Sequence, residues 1–483
     1  MPGGGKDMEK VNALRLKTVF GWTLTLGLAC VTVLGSQAGA VDLDWTGDFR
    51  AENHWINNYR MNSANAQSGG YSIPGGSSVP QFQTLFLRLK PRVVVNDNVY
   101  LHSEWWLGNP AYGVFGDSAP STADRRTFES TLSQGAQVSA QRFWAEVLTD
   151  VGNVHVGRAP LNWGLGLVWN AGNGVYDRFQ STGDVVRLVS KFGAFSFAPA
   201  AVKYSAGSSV SAGGLSDYAI SLKYENPDDD FEGGVNFIRR VGRGFGSYSD
   251  SSVASDINTT TWDIFTRKKF GKFEVAAEAP IVSGKVSGVT YSSYALAGEG
   301  RMVWSETWNL AAKLGHIPGQ GSSQAEYTGF FLHPNYKLGL ILFQYQLANL
   351  GGANVGTAAD RSVFNAPITN TNYLQLATEH RLGKWQLRGA WTYARALEVA
   401  GTTGSYFNQW SRKFESAGGT VAQSSALGWE LDAGATLHWD DQFDFKADAG
   451  LFFPGDFFKY SAAASANQTG TVAAFVMGVG VKF

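Results

Sequence analysis

The chain has a single cysteine, Cys30, in 483 residues. That excludes a disulfide framework and any cysteine-based zinc site. Charged residues make up only 16% of it and leave a net charge of −1, so no basic footprint for nucleic acid exists. No stretch after residue 40 approaches the ~18 uninterrupted apolar residues of a membrane-spanning helix. The seven histidines are scattered, with neither an H-x-x-x-H nor a G-x-S-x-G arrangement, so no catalytic or metal site is expected. What the chain does have is glycine, at 58 residues, and aromatics: 16 Trp, 18 Tyr and 31 Phe. Such aromatic content does not belong to a disordered chain. A Gly- and aromatic-rich β protein remains.

The N-terminus reads as an export signal. Lys6, Lys10, Arg15 and Lys17 form a positive region, and an apolar stretch runs from Val19 to Leu34. Ala38-Gly39-Ala40 then supplies a cleavage site, which makes 1–40 a cleaved leader and 41–483 a single domain. The competing reading is an N-terminal membrane anchor.

From Val41 onward the pattern has period two. Leu43, Trp45, Phe49 and Ala51 alternate with Asp44, Asp48, Arg50 and Glu52. Leu85, Leu87 and Leu89 alternate with Thr84, Arg88 and Lys90. Alternation puts one set on each face of a strand. A soluble β-sandwich shows it too, but three further features favour a membrane barrel. The candidate strands run about 9–13 residues, matched to a tilted bilayer crossing. Short turns alternate with long Gly/Ser/Asn-rich connections, the largest at 61–80, 108–137, 160–182, 349–372 and 397–424. Aromatics crowd the strand ends, as at Trp105-Trp106, Trp304, Trp308, Trp439 and Phe452-Phe453.

Short turns are expected at Asn96 to Asn98, Thr149 to Asn153, Gly193, Pro227 to Asp230 and Gly271-Lys272, and again at Ser305-Glu306, Asn335 to Lys337, Gly383-Lys384 and Asp440-Asp441. With the loops between them they give an antiparallel transmembrane β-barrel of 20 strands. The hairpin 284–304 is diluted by Gly298 and Gly300, and without it the count is 18. Either size leaves an aqueous lumen unless loops fill it.

Charges cost a few kcal/mol in lipid, so the charged member of each pair is expected to face the lumen. Candidate pore-lining residues are Arg88, Lys90, Arg92, Arg142, Glu146, Arg158, Arg187 and Lys191. Both signs are present, so ion selectivity stays open. The loop 160–182 is a candidate constriction, its glycines reaching conformations other residues resist. Trp163, Trp169 and Tyr176 would anchor it on the wall, leaving Asp177 and Arg178 towards the pore. The competing reading is an ordinary outward loop.

On the last strand, Phe475, Met477, Val479, Val481 and Phe483 share one face, with Gly478, Gly480 and Lys482 on the other. An amphipathic last strand ending in Phe resembles the signal by which bacterial outer-membrane barrels are recognised for insertion. The resemblance implies the insertion machinery and outer-membrane lipid as partners. The segment Gly157 to Arg187, with its G-R-A-P, W-G-L-G and D-R-F elements, resembles outer-membrane porins of the alginate-export type. That resemblance implies a large monomeric Gram-negative barrel of about 18 strands. It also implies a lumen in which Arg88, Lys90, Arg92, Arg142, Arg158 and Arg187 meet anionic solutes. The expected function is passive diffusion of small polar solutes, with no cofactor, no metal, no catalysis and no nucleic acid. Selective export of an anionic polysaccharide and a plugged or enzymatic barrel are the alternatives.

Overall fold

A computed structural model describes residues 42–59, 61, 81–108, 114–115, 138–206, 214–246, 254–345, 347, 364, 366–408, 413–418, 421–460 and 469–483. The expected leader 1–40 lies outside the described residues, as do the connection 61–80 apart from Met61 and nearly all of 108–137.

Eighteen strands form the wall among the described residues. The first nine are Asp42–Asn57 (β1), Gln81–Asn96 (β2), Val99–Leu107 (β3), Val138–Thr149 (β4), Gly152–Pro160 (β5), Thr182–Phe192 (β6), Phe195–Ala206 (β7), Gly214–Asn226 (β8) and Phe231–Gly246 (β9). Ala254–Phe270 (β10) and Phe273–Val286 (β11) follow. The next strand is broken at Ala295 into Val289–Tyr294 and Leu296–Val303 (together β12). Trp308–Ile317 (β13), Thr371–Leu382 (β14), Trp385–Ala396 (β15), Ala426–His438 (β16), Phe443–Pro454 (β17) and Val472–Lys482 (β18) complete the wall. Each strand pairs antiparallel with the next. β18 pairs back onto β1, Asp48 standing opposite Lys482 and Asn57 opposite Ala473, so no edge is left open. A two-stranded hairpin, Ser405–Asn408 with Lys413–Ser416, lies outside the wall.

At the seam, Gly47 and Phe483 exchange both backbone hydrogen bonds, 2.7 and 3.1 Å long. The Phe483 ring covers Gly47 so closely that an added Cβ would lie 2.7 Å from it. Glycine on one strand makes room for the terminal ring of the other.

The two faces are inverted relative to a water-soluble protein. Leu43, Trp262 and Met477 expose 48%, 50% and 55% of their surface on the outer face, while Arg50, Glu52 and Glu430 are buried inside. Only lipid outside makes that arrangement favourable. Outward aromatics form two girdles. Trp55, Trp105, Tyr218, Tyr294 and Trp429 lie towards the loop ends, and Trp45, Phe270, Trp304, Trp385 and Trp439 towards the turn ends. Within the doublets, alternation sends Trp105 and Phe453 outward, whereas Trp106 and Phe452 are buried inside.

Eight of the nine expected turns are present. The hairpin 284–304 is formed, as β11 and β12. It is the turn at Asn335 to Lys337 that is absent from the wall, because this segment lies inside the long connection between β13 and β14. The strand count is therefore 18.

Candidate functional site

Two connections turn inward into the lumen: 161–181, between β5 and β6, and the described residues of the connection between β13 and β14, chiefly 318–345. The first starts with a tight curl in which the Gly166 N–H donates to the Trp163 carbonyl at 2.8 Å and the Trp163 N–H to that of Trp169 at 3.0 Å. Gly164 and Gly166 have φ of +54° and +81° there, a region that other residues resist. Trp163 and Trp169 share a buried cluster with Val185, Val202, Ile238 and Phe265 of the wall.

Past the curl, the loop is held from both sides by wall charges. On β11, the buried Glu278 carboxylate accepts from the Leu165 and Leu167 N–H groups, the latter at 3.1 Å. Opposite it, three arginines donate to a run of loop carbonyls. Arg142 reaches Ala171. Arg88 reaches Gly172, Asn173 and Gly174 at 2.5, 3.0 and 3.0 Å. Arg50 reaches Val175 and Asp177 at 2.8 and 2.7 Å. Asp48 and Glu104 balance the charge, at 2.7 Å from Arg88 and 2.8 Å from Arg142. A guanidinium has five donors and no acceptor, so a buried one needs such a cluster of oxygens.

The tip of the loop crosses to the barrel seam. The Tyr176 ring lies under the Lys446 ammonium, 3.6 Å from its centroid, and packs where Gly480 carries no side chain. Arg178 pairs with Glu52, stacks over Phe364 at 3.7 Å and is only 6% exposed. Arg178, expected towards the pore, is instead an internal tie, because Glu52 on β1 offers a buried carboxylate in reach. The Asp177 carboxylate folds back onto the Gly174 N–H at 2.7 Å.

The second loop repeats the device. Glu430 on β16 accepts from the Ile341 and Leu342 N–H groups at 2.7 Å each. Gln375 on β14 donates to the Leu338 carbonyl at 2.6 Å. The loops also bind each other: the Asn335 amide donates to the Phe179 carbonyl at 2.6 Å, and the His333 N–H to that of Leu167 at 2.7 Å. Leu167, Leu332, Ile341, Leu342 and Tyr345, each at most 1% exposed, share one apolar cluster with Ile56, Ile317 and Phe452 of the wall. Burial of such side chains is worth about 1.5–3 kcal/mol each. A cavity of about 370 Å³ remains beside the loops, bounded by Arg240, Thr259, Thr261 and Tyr291 of the wall and by His333 and Leu332.

The remaining expected pore residues divide. Lys90 lies on the inner face, half-buried, and Arg92 pairs there with Asp44 at 3.0 Å. Glu146 accepts from Asn153 at 3.1 Å and lies 3.0 Å from His102, and Arg187 lies 2.6 Å from His155. Lys191 is exposed near the turn end. Arg158 is a correction. It shares the outer face with Phe143, Val156 and Val186, and pairs there with Asp184 at 2.8 and 3.0 Å. A charge so near the loop end reaches polar surroundings, so lipid does not force it inward. Phe475, Met477, Val479, Val481 and Phe483 lie together on the outer face, as expected. The second loop was missed, although its run Leu340-Ile341-Leu342-Phe343 is apolar on both parities, a sign of burial on all sides.

Two outcomes follow. Arg88→Gln leaves Asp48 buried without its cation, a loss of about 3–5 kcal/mol. The 161–181 loop of this variant then becomes cleavable in folded barrels, as peptide mapping after limited proteolysis reads. Burial beside Arg178 lowers the Lys337 ammonium to about 7 from an ordinary 10.5. Docking is thus penalised in full below pH 7 and strengthens as pH rises from 7 to 10.5. The thermal unfolding midpoint should rise over that window by the equivalent of about 1.4 kcal/mol per unit relative to Lys337→Met.

No protein-family model matches the chain, and no curated protein matches it. Solved structures do. OccK2 (OpdF) of Pseudomonas aeruginosa is 9% identical with a TM-score of 0.50, over 92% of this chain and 98% of that one. OccK8 (OprE) of the same organism is 9% identical with a TM-score of 0.49 over the same shares. The in-vitro folded trimer form of OmpT, an outer membrane protein of Vibrio cholerae, is 9% identical with a TM-score of 0.39, over 92% and 100%. At such identity the likeness is one of fold: that of a multi-pass outer-membrane β-barrel.

Proposed function

We propose that the protein is an outer-membrane channel that passes small polar solutes passively through a lumen narrowed by two wall-anchored loops. The observation that carries this reading is the row of contacts from Arg50, Arg88 and Arg142 to the carbonyls of Ala171 to Asp177. A loop held by three buried cations is a fixed constriction, and its exposed remainder sets what passes. The space beside it, about 370 Å³, is the scale of a small molecule.

Export of an extended polyanion fits less well. Such a solute needs arginines free along the bore, whereas Arg88 and Arg142 are 2% exposed and bound to the loop. The inner face below carries both signs in pairs, Lys313 with Glu299 at 2.9 Å and Arg388 with Asp448 at 2.7 Å. Mixed pairs favour dipolar or zwitterionic solutes over one charge sign. In this reading the outward row from Phe475 to Phe483 addresses the insertion machinery and lipid, and no step is catalytic.

Reconstituted in a planar bilayer, the protein is expected to give small, stable conductance steps. Shortening 161–181 and 318–370 together should raise them severalfold. A wild-type barrel that inserts without conducting would refute the channel, and an unchanged conductance after shortening would refute the constriction.

A further inference from the structure

The outer face is apolar over most of the wall, but one sector near the loop end is not. Arg158 on β5 stands opposite Asp184 on β6, which stands opposite Lys203 on β7. Two strands on, Arg239 of β9 lies between Tyr218 and Thr260. Beyond it, Lys285 of β11 lies between Asn258 and Thr290. All four cations are exposed. Lys203, Arg239 and Lys285 make no ion pair among the described residues; of the outward acids in the sector, Asp184 is taken up by Arg158, and the exposed Asp256 lies one outward position beyond Asn258 on β10. Directly towards the membrane centre the face turns apolar, with Val156, Val186, Ile220, Trp262 and Ile281 all 45–60% exposed. The corresponding loop-end positions on β16, β17 and β18 carry Trp429, Phe453 and Phe475 instead. These four cations therefore stand together on one side of the barrel, with Arg395 of β15 apart from them.

We infer that this sector, from β5 to β11, binds the phosphate groups of lipid headgroups in the outer leaflet. Long cationic side chains at the rim of an apolar band extend to headgroup level, where hydrocarbon no longer surrounds them. Phosphate offers several acceptor oxygens, which suit both guanidinium and ammonium donors. Neighbouring strands are about 4.8 Å apart and Arg239 is two residues out of register with Lys203 and Lys285, so cations two strands apart stand about 10–12 Å from each other. That spacing lets one headgroup with two phosphates bridge adjacent cations. Neither the lumen nor the conducting state enters this inference, so it stands or falls apart from the channel reading.

The test uses the whole folded barrel in dodecyl maltoside, titrated with bisphosphorylated lipid A, with lipid A stripped of both phosphates, and with inorganic phosphate, bound lipid being counted by native mass spectrometry. The bisphosphorylated form is expected to bind at least about tenfold more tightly than the stripped form. The combined variant Arg158→Gln, Lys203→Gln, Arg239→Gln, Lys285→Gln should lose that preference, while Arg395→Gln, an exposed outward cation of β15, keeps it. If the combined variant fails to fold, Lys203→Gln with Arg239→Gln is read instead. Equal binding of both lipid A forms, or a preference that survives the substitutions, would overturn the inference. Displacement of lipid A by inorganic phosphate would overturn the lipid as its occupant.

Discussion

The structure depends on an exchange between the wall and the chain that crosses it. A barrel of this size has more interior than its own side chains fill. The backbone of an inserted loop brings N–H and C=O groups into that interior with no strand to pair them. The wall answers with charges: Glu278 and Glu430 accept from the N–H groups, and Arg50, Arg88 and Arg142 donate to the carbonyls. The same contacts solve the wall's own problem, because a buried guanidinium or carboxylate is costly until its hydrogen-bonding capacity is used. Loop and wall each satisfy what the other cannot leave unpaired.

This shared need governs what the lumen can do. Arginines that would attract anions in an open bore are consumed in holding the loop, so in the proposed channel selectivity would pass to what the loop leaves exposed. Glu52 links the two loops' environments: it meets Arg178 from the first loop and Lys446 from the wall, beside the His54 that bonds Tyr345 of the second at 2.8 Å. This cluster and the Asn335 amide thus join the two loops directly.

Much of the wall was legible in the sequence, because lipid enforces period two on every crossing. Leu85, Leu87 and Leu89 against Arg88 and Lys90, or Met477 and Val479 against Gly478 and Gly480, leave one consistent way to face. The burial of Trp163 and Trp169 against the wall has a related reason, since large aromatics in a Gly-rich loop need a surface. The second inserted loop was not legible as such. The residues after the expected turn at Asn335 to Lys337 have the length and apolarity of one strand, and only the unbroken run Leu340 to Phe343 marks a segment buried on both sides. Arg158 failed for another reason: the rule that charge faces the lumen weakens near the headgroups, and depth in the bilayer is not written in alternation.

The most direct test of the account is whether residues 336–345 lie inside the barrel against the wall. A Cβ at Gly450 would sit 3.3 Å from that of Leu340, within reach of a disulfide. With Cys30 replaced by serine, Leu340→Cys combined with Gly450→Cys should cross-link spontaneously in folded barrels, as a mobility shift under non-reducing conditions. Full cross-linking is the predicted result. Two free thiols in a correctly folded barrel would contradict it, and would return residues 336–347 to the wall or to the exterior.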